Sequence, residues 1–142
     1  MLEYRFFHPT EVRYGDLDPQ GHLNNAKVLT YFEQARVRYW TQLGLFSKDQ
    51  NFTEFGVIIA DVHVRYEAPV HWGSPIKVGL CTSKVGNKSM TIDQCLVDEL
   101  DGRVYATGTV VLVAYDYVQH QTMRVPDAWR ERLERYEGRA LS

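Results

Sequence analysis

At 142 residues the chain has the length of one domain, with room for a real core but little for a second. Hydrophobic residues at 44% and charged residues at 24% exclude a disordered chain. A net charge of −2 excludes a global attraction for nucleic acid, so an anionic ligand would need a local basic cluster.

The opening MLEYRFFHPTE lacks the basic start and apolar run of a secretory leader, which predicts a cytoplasmic location. Residues 3–14 read as a first strand region interrupted near Pro9. YGDLDPQGHLNN follows, a dense cluster of turn formers. From Asn25 to about Leu43 the period becomes helical. Val28, Phe32, Ala35, Tyr39 and Leu43 recur at helical spacing, Leu29 and Trp40 widen the stripe, Asn24 or Asn25 is placed as N-cap, and Gly44 sits where the helix should end.

The rest is strand signal. Residues 57–70 alternate, with Ile58, Ala60, Val62, Val64 and Tyr66 on one face and Asp61, His63 and Arg65 on the other. In 75–85, Ile76, Val78, Leu80 and Thr82 point inward; Gly86-Asn87 marks a hairpin; Met90, Ile92 and Leu96 share a face; Asp101-Gly102 turns the chain again. RVYATGTVVLVAYDY is apolar almost throughout, which predicts a central strand covered on both faces. Pro126 opens a short helix with Trp129, Leu133 and Tyr136 as a stripe. No stretch nears the roughly 18 apolar residues of a membrane span. One strand, one long helix and four further strands make a single α+β domain over residues 1–142.

The segment from Tyr14 to Asn25 carries the chemistry. Asp16 and Asp18 lie in a loop that feeds directly into a helix start. A helix N-terminus offers unpaired N–H groups and about half a positive charge, which suits both an ionised carboxylate and an oxyanion forming on a substrate carbonyl. The same residues also suit capping: Asp and Asn before a helix commonly close Asx-turns, and Asp-Pro starts turns. Local chemistry alone leaves Asp18 between cap and catalyst, and His22 between a hydrogen-bonded loop residue and an orienting group.

This loop resembles that of the hotdog-fold thioesterases of the 4-hydroxybenzoyl-CoA thioesterase type, with their Asp-x-Asp-x-x-Gly-His-x-Asn-Asn signature. Asp16, Asp18, Gly21, His22, Asn24 and Asn25 match it, and the likeness continues through Tyr31-Phe32-Glu33-Gln34-Ala35-Arg36 and the Tyr66-x-x-Pro69-x-x-x-Gly73 turn. The resemblance implies a hotdog fold, in which an antiparallel sheet of about five strands curls around the long helix. It implies Asp18 as the catalytic carboxylate, nucleophile or general base, with the backbone N–H of Asn25 as oxyanion donor. Asp16 would shape the loop, His22 would be a site residue of open role, and Tyr14 and Gly21 are candidate substrate contacts. It further implies an acyl-CoA substrate, or an acyl carrier protein as thiol carrier, and a homodimer joined edge to edge or a homotetramer.

CoA phosphates need a basic contact, for which Lys88 beside the Gly86-Asn87 turn, with Ser89, is the candidate; solubility alone would also place lysines there. Asp61, His63 and Arg65 read as a solvated or interfacial strand face, and Glu33 as a salt-bridge residue. Cys81 and Cys95 are too few for a disulfide framework or zinc site and read as packing residues, so neither metal nor cofactor is expected. The expected reaction is thioester hydrolysis. A hotdog dehydratase or hydratase, and a non-catalytic acyl-thioester-binding module, are its rivals.

Overall fold

The computed structural model describes residues 3–142. In chain order it forms β1 (Phe6–Thr10), α1 (Asn25–Gln42), β2 (Val57–Tyr66), β3 (Ile76–Val85), β4 (Ser89–Asp98), β5 (Val104–Asp116), β6 (Gln121–Thr122) and α2 (Asp127–Glu137), with one-turn 3-10 helices at Tyr14–Asp16 and Phe52–Glu54. The sheet runs β1-β3-β4-β5-β2, all antiparallel, and the two-residue β6 pairs with the end of β5.

Alternation builds the inner face. Ile76, Val78, Leu80 and Thr82 of β3 are completely buried, as are Ile92 and Leu96 of β4, with Met90 at 1% exposure. The α1 stripe of Val28, Phe32, Ala35 and Tyr39 packs on this face. Removing a fully buried aromatic such as Phe32 would cost about 3–5 kcal/mol, so this layer holds the helix in place. Asn24 is the N-cap: its side chain accepts from the Ala26 amide at 2.9 Å.

Four local expectations are corrected. Strand β1 is only five residues and includes Pro9 rather than breaking there; it is an edge strand, where a missing N–H is tolerated. In β2 the register slips between Ile59 and Asp61, so Ala60 is the bulged residue. Ile58 therefore shares the outer face with Asp61, His63 and Arg65, while Ile59, Val62, Val64 and Tyr66 hold the inner one. Strand β5 is central in order but covered on one face: Ala106, Val110, Leu112 and Ala114 are buried, whereas Thr107, Thr109, Val111 and Val113 are half-exposed. Finally, Leu29 is 38% exposed, and the buried stripe of α1 instead takes in Tyr31 and Arg36.

Candidate active site

Residues 17–23 form a miniature hairpin at the start of α1. Leu17 bridges Leu23, the Asp18 amide donates to the His22 carbonyl at 2.7 Å, and the Gly21 amide donates back to the Asp18 carbonyl at 3.0 Å. Closing so short a turn requires a left-handed residue, which Gly21 supplies at φ +80°. Gly21 is thus placed as the hinge of the turn.

Asp18 Oδ1 accepts from the amides of Gln20, at 2.9 Å, and His22, at 3.1 Å. Its Oδ2 makes no hydrogen bond among the described residues. One oxygen of the carboxylate is thus held by the turn, and the other faces no donor among the described residues. The same side chain lines a cleft of about 320 Å³ together with His22, Asn25, Val28, Tyr66 and Leu96.

Asp16 does different work. It is 1% exposed and receives Arg13 Nε at 3.1 Å, Arg13 Nη2 at 3.1 Å and the Tyr31 hydroxyl at 2.6 Å. Burial alone would raise its pKa, but the Arg13 guanidinium and the Tyr31 hydroxyl bring it down to about 2. Its carbonyl accepts the Asn24 amide at 2.8 Å, joining the loop to the helix cap. Asp16 thus ties loop, helix and the Arg13 segment together.

At the helix start, the Asn24 side chain occupies the Ala26 amide, and the Asn24 carbonyl takes that of Lys27. The Asn25 N–H has no partner among the described residues, and it opens an 18-residue helix. Across the cleft, the Tyr66 hydroxyl donates to the Asn25 carbonyl at 2.9 Å. Below it, the Leu23 amide donates to the Val70 carbonyl at 2.8 Å, and the His22 ring meets that of His71 edge-on, centroids 4.8 Å apart.

The structure brings Asp18, His22 and Asn25 together in one cleft. It does not bring Tyr14 there, which stands 85% exposed on the loop. Lys88 and Ser89 lie beside Ala114 and Val113, at the other end of the sheet from Leu96, roughly 23 Å along β4 at strand rise. Asp61, His63 and Arg65 are on the outer face, away from the cleft. Sequence reasoning missed Tyr66 and Glu67 as cleft residues, and His71 as the ring against His22; the Tyr66-x-x-Pro69 turn was the available signal. Among the described residues no group of three or more His, Cys, Asp or Glu is placed to hold a metal ion. Among the same residues no helix is long and apolar enough to cross a membrane.

A model of the thioesterase-like superfamily matches residues 12–133. The chain belongs to the thioesterase-like superfamily. A superfamily structure from Thermus thermophilus, a thioesterase complexed with coenzyme A and zinc, is 33% identical, covers 99% of this chain and 100% of its own, and superposes with a TM-score of 0.86. The fold is accordingly the hotdog. Among curated superfamily relatives, the protein YsmA of Bacillus subtilis strain 168 is 28% identical over 92% of this chain and 86% of its own length. The long-chain acyl-CoA thioesterase FadM of Escherichia coli K12 is 25% identical over 87% and 93%.

Proposed function

We propose that the protein hydrolyses an acyl-CoA thioester to the free acid and CoA, with Asp18 and the Asn25 N–H as its working groups. The observation that carries this reading is the pairing of a half-pinned carboxylate with a free helix-start amide in one cleft. As general base, Asp18 removes a proton from water while the water oxygen adds to the acyl carbon. As nucleophile, its own oxygen adds first and the resulting anhydride is hydrolysed. In both routes negative charge builds on the carbonyl oxygen facing the Asn25 N–H and the positive end of α1. The C–S bond then breaks, and the thiolate leaves and takes up a proton. Likeness to superfamily members described as acyl-CoA and CoA-bound thioesterases supports this chemistry.

Glu67 also lines the cleft, but its side chain is exposed and makes no hydrogen bond among the described residues, so nothing fixes its direction. Asp18 is the better-organised carboxylate. The test is thiol release over a panel of acyl-CoA and acyl carrier protein esters. Asp18→Asn should lose about a hundredfold or more in kcat while still binding ligand, and Glu67→Gln should retain most turnover. Normal turnover by Asp18→Asn would end the assignment.

The same reading includes a homodimer. Strand β2 ends the sheet, ten residues long, with Ile58, Ile59 and Val62 exposed at 38%, 47% and 41%. An open apolar edge of this length is an aggregation hazard unless paired. Antiparallel pairing with a second β2 would lay the second copy's Val57 end beside this chain's Tyr66 end. It would carry that copy's Lys88 and Ser89 towards the cleft, which is how a basic group remote within one chain serves a CoA phosphate.

A further inference from the structure

The inner stripe of α1 runs Val28, Phe32, Arg36, Trp40, one residue per turn, against the sheet. Arg36 is only 5% exposed, and no carboxylate lies within ion-pair reach of it among the described residues. Its one hydrogen bond is from Nη1 to the Oε1 of Gln94 on β4, at 3.2 Å. That contact fixes the amide of Gln94, because turning it over would set donor against donor. Gln94 Nε2 is then sealed from solvent with no partner, and Trp40 Nε1 is sealed and unpartnered too. All these unmet groups are donors. A buried donor left unmatched is destabilising, and Arg36 adds to the two sealed ones a positive charge that forms no ion pair among the described residues.

The register places Gln94 beyond the cleft. Leu96, Ala106 and Tyr66 form one row across β4, β5 and β2 and line the cleft; the next row on the same face is Gln94, Gly108 and Val64. Gln94 is thus about 7 Å further in, at two residues of strand rise. On the helix side Val28 lines the cleft and Arg36 follows two turns later with Phe32 between them, its side chain leaning back towards the N-terminus. An acyl chain whose carbonyl sits at Asn25 and which runs inward over Val28, Leu96 and Ala106 is directed at these donors.

We propose that Arg36 and Gln94 form the far end of the acyl site and select acyl groups that terminate in a carboxylate. Gln94 Nε2 lacks an acceptor and Arg36 has only the neutral Gln94 Oε1 as partner, and a carboxylate supplies both the missing charge and the missing oxygen. This deepens the acyl-CoA reading and rests on it.

The experiment compares kcat/KM for succinyl-, adipoyl- and suberoyl-CoA with butyryl-, hexanoyl- and octanoyl-CoA. In the wild type, at least one dicarboxylic ester should exceed its alkyl counterpart by roughly ten- to a hundredfold, the worth of a charge-assisted hydrogen bond. Arg36→Met, which keeps an unbranched stem, should reverse that preference. A wild-type preference for the alkyl esters at every length, or an unchanged ratio in Arg36→Met, overturns the proposal. Should Arg36→Met not fold, Gln94→Glu supplies Arg36 with an internal carboxylate and should collapse the ratio; a ratio that survives it also overturns the proposal. If no thioester is turned over, the hydrolase reading fails separately. Calorimetric binding of adipate against hexanoate to the wild type then decides this one: tighter adipate supports it, and equal or weaker adipate sinks it.

Discussion

The hydroxyl of Tyr66, last residue of β2, donates to the carbonyl of Asn25, first residue of α1, at 2.9 Å across the cleft. This bond couples the outermost strand of the sheet to the helix start without occupying the Asn25 N–H. The amide is therefore aimed by a contact made on the other side of its own residue. The edge strand that Tyr66 terminates is also the one that the proposed dimer would pair, and pairing there would then bear on the alignment of the amide.

Replacing Tyr66 by Phe removes only that hydroxyl. We expect kcat for acyl-CoA hydrolysis to fall by roughly fivefold, the worth of one hydrogen bond of about 1 kcal/mol, with little change in thermal stability. Steady-state kinetics beside a thermal melt checks this. A variant with unchanged kcat would show that the bond does not align the amide.

Asp16 predicts the acid limb of stability. Its pKa is lowered from 3.8 to about 2, so the ionised form is favoured by folding. Its contribution is complete above the unfolded value and is lost as pH falls from about 4 towards 2. Urea midpoints measured across that window should drop in the wild type and drop less steeply in Asp16→Asn, which is already weaker at neutral pH. Parallel curves for the two proteins would contradict the assigned network of Arg13, Asp16 and Tyr31.

The β2 edge predicts the oligomeric state. A charge at its exposed centre, Val62→Lys, should convert a dimer to monomer in sedimentation experiments and remove most turnover, although Val62 lies outside the cleft of its own chain. Lys88→Ala should leave the dimer intact and raise KM several-fold with kcat nearly unchanged, as loss of uniform binding does. A monomeric wild type with full activity would refute the shared site.

Much of this was legible beforehand because the relevant forces are local. The Asp18–Gly21 turn, the Asn24 cap and the helix from Asn25 follow from Asx-turn chemistry, a left-handed glycine and a four-residue period. The hairpins at Gly86-Asn87 and Asp101-Gly102 follow from turn residues between alternating segments. Asp16 and Asp18, two positions apart in one loop, differ in their surroundings because Tyr31 and Arg13 reach only Asp16.

What alternation could not supply was phase after an interruption. The slip at Ala60 sends Ile58 to the opposite face from Val62, and no side chain in the sequence announces it. Nor does an arginine in an amphipathic helix reveal that it will be buried; Arg36 is enclosed only because the curled sheet meets it at Gln94.

The sequence by itself determined the turns, the helix with its cap, the inward rows of β3 and β4, and the carboxylate placed beside a helix start, since each depends on neighbours a few residues apart. The tertiary structure decided that β2 pairs with β5, that Tyr66 and His71 close around the loop, that Lys88 lies at the opposite end from Asp18, and that Arg36 meets Gln94. These depend on strand register and on the curl of the sheet, which are settled by packing the whole inner face at once and leave no short-range trace in the chain.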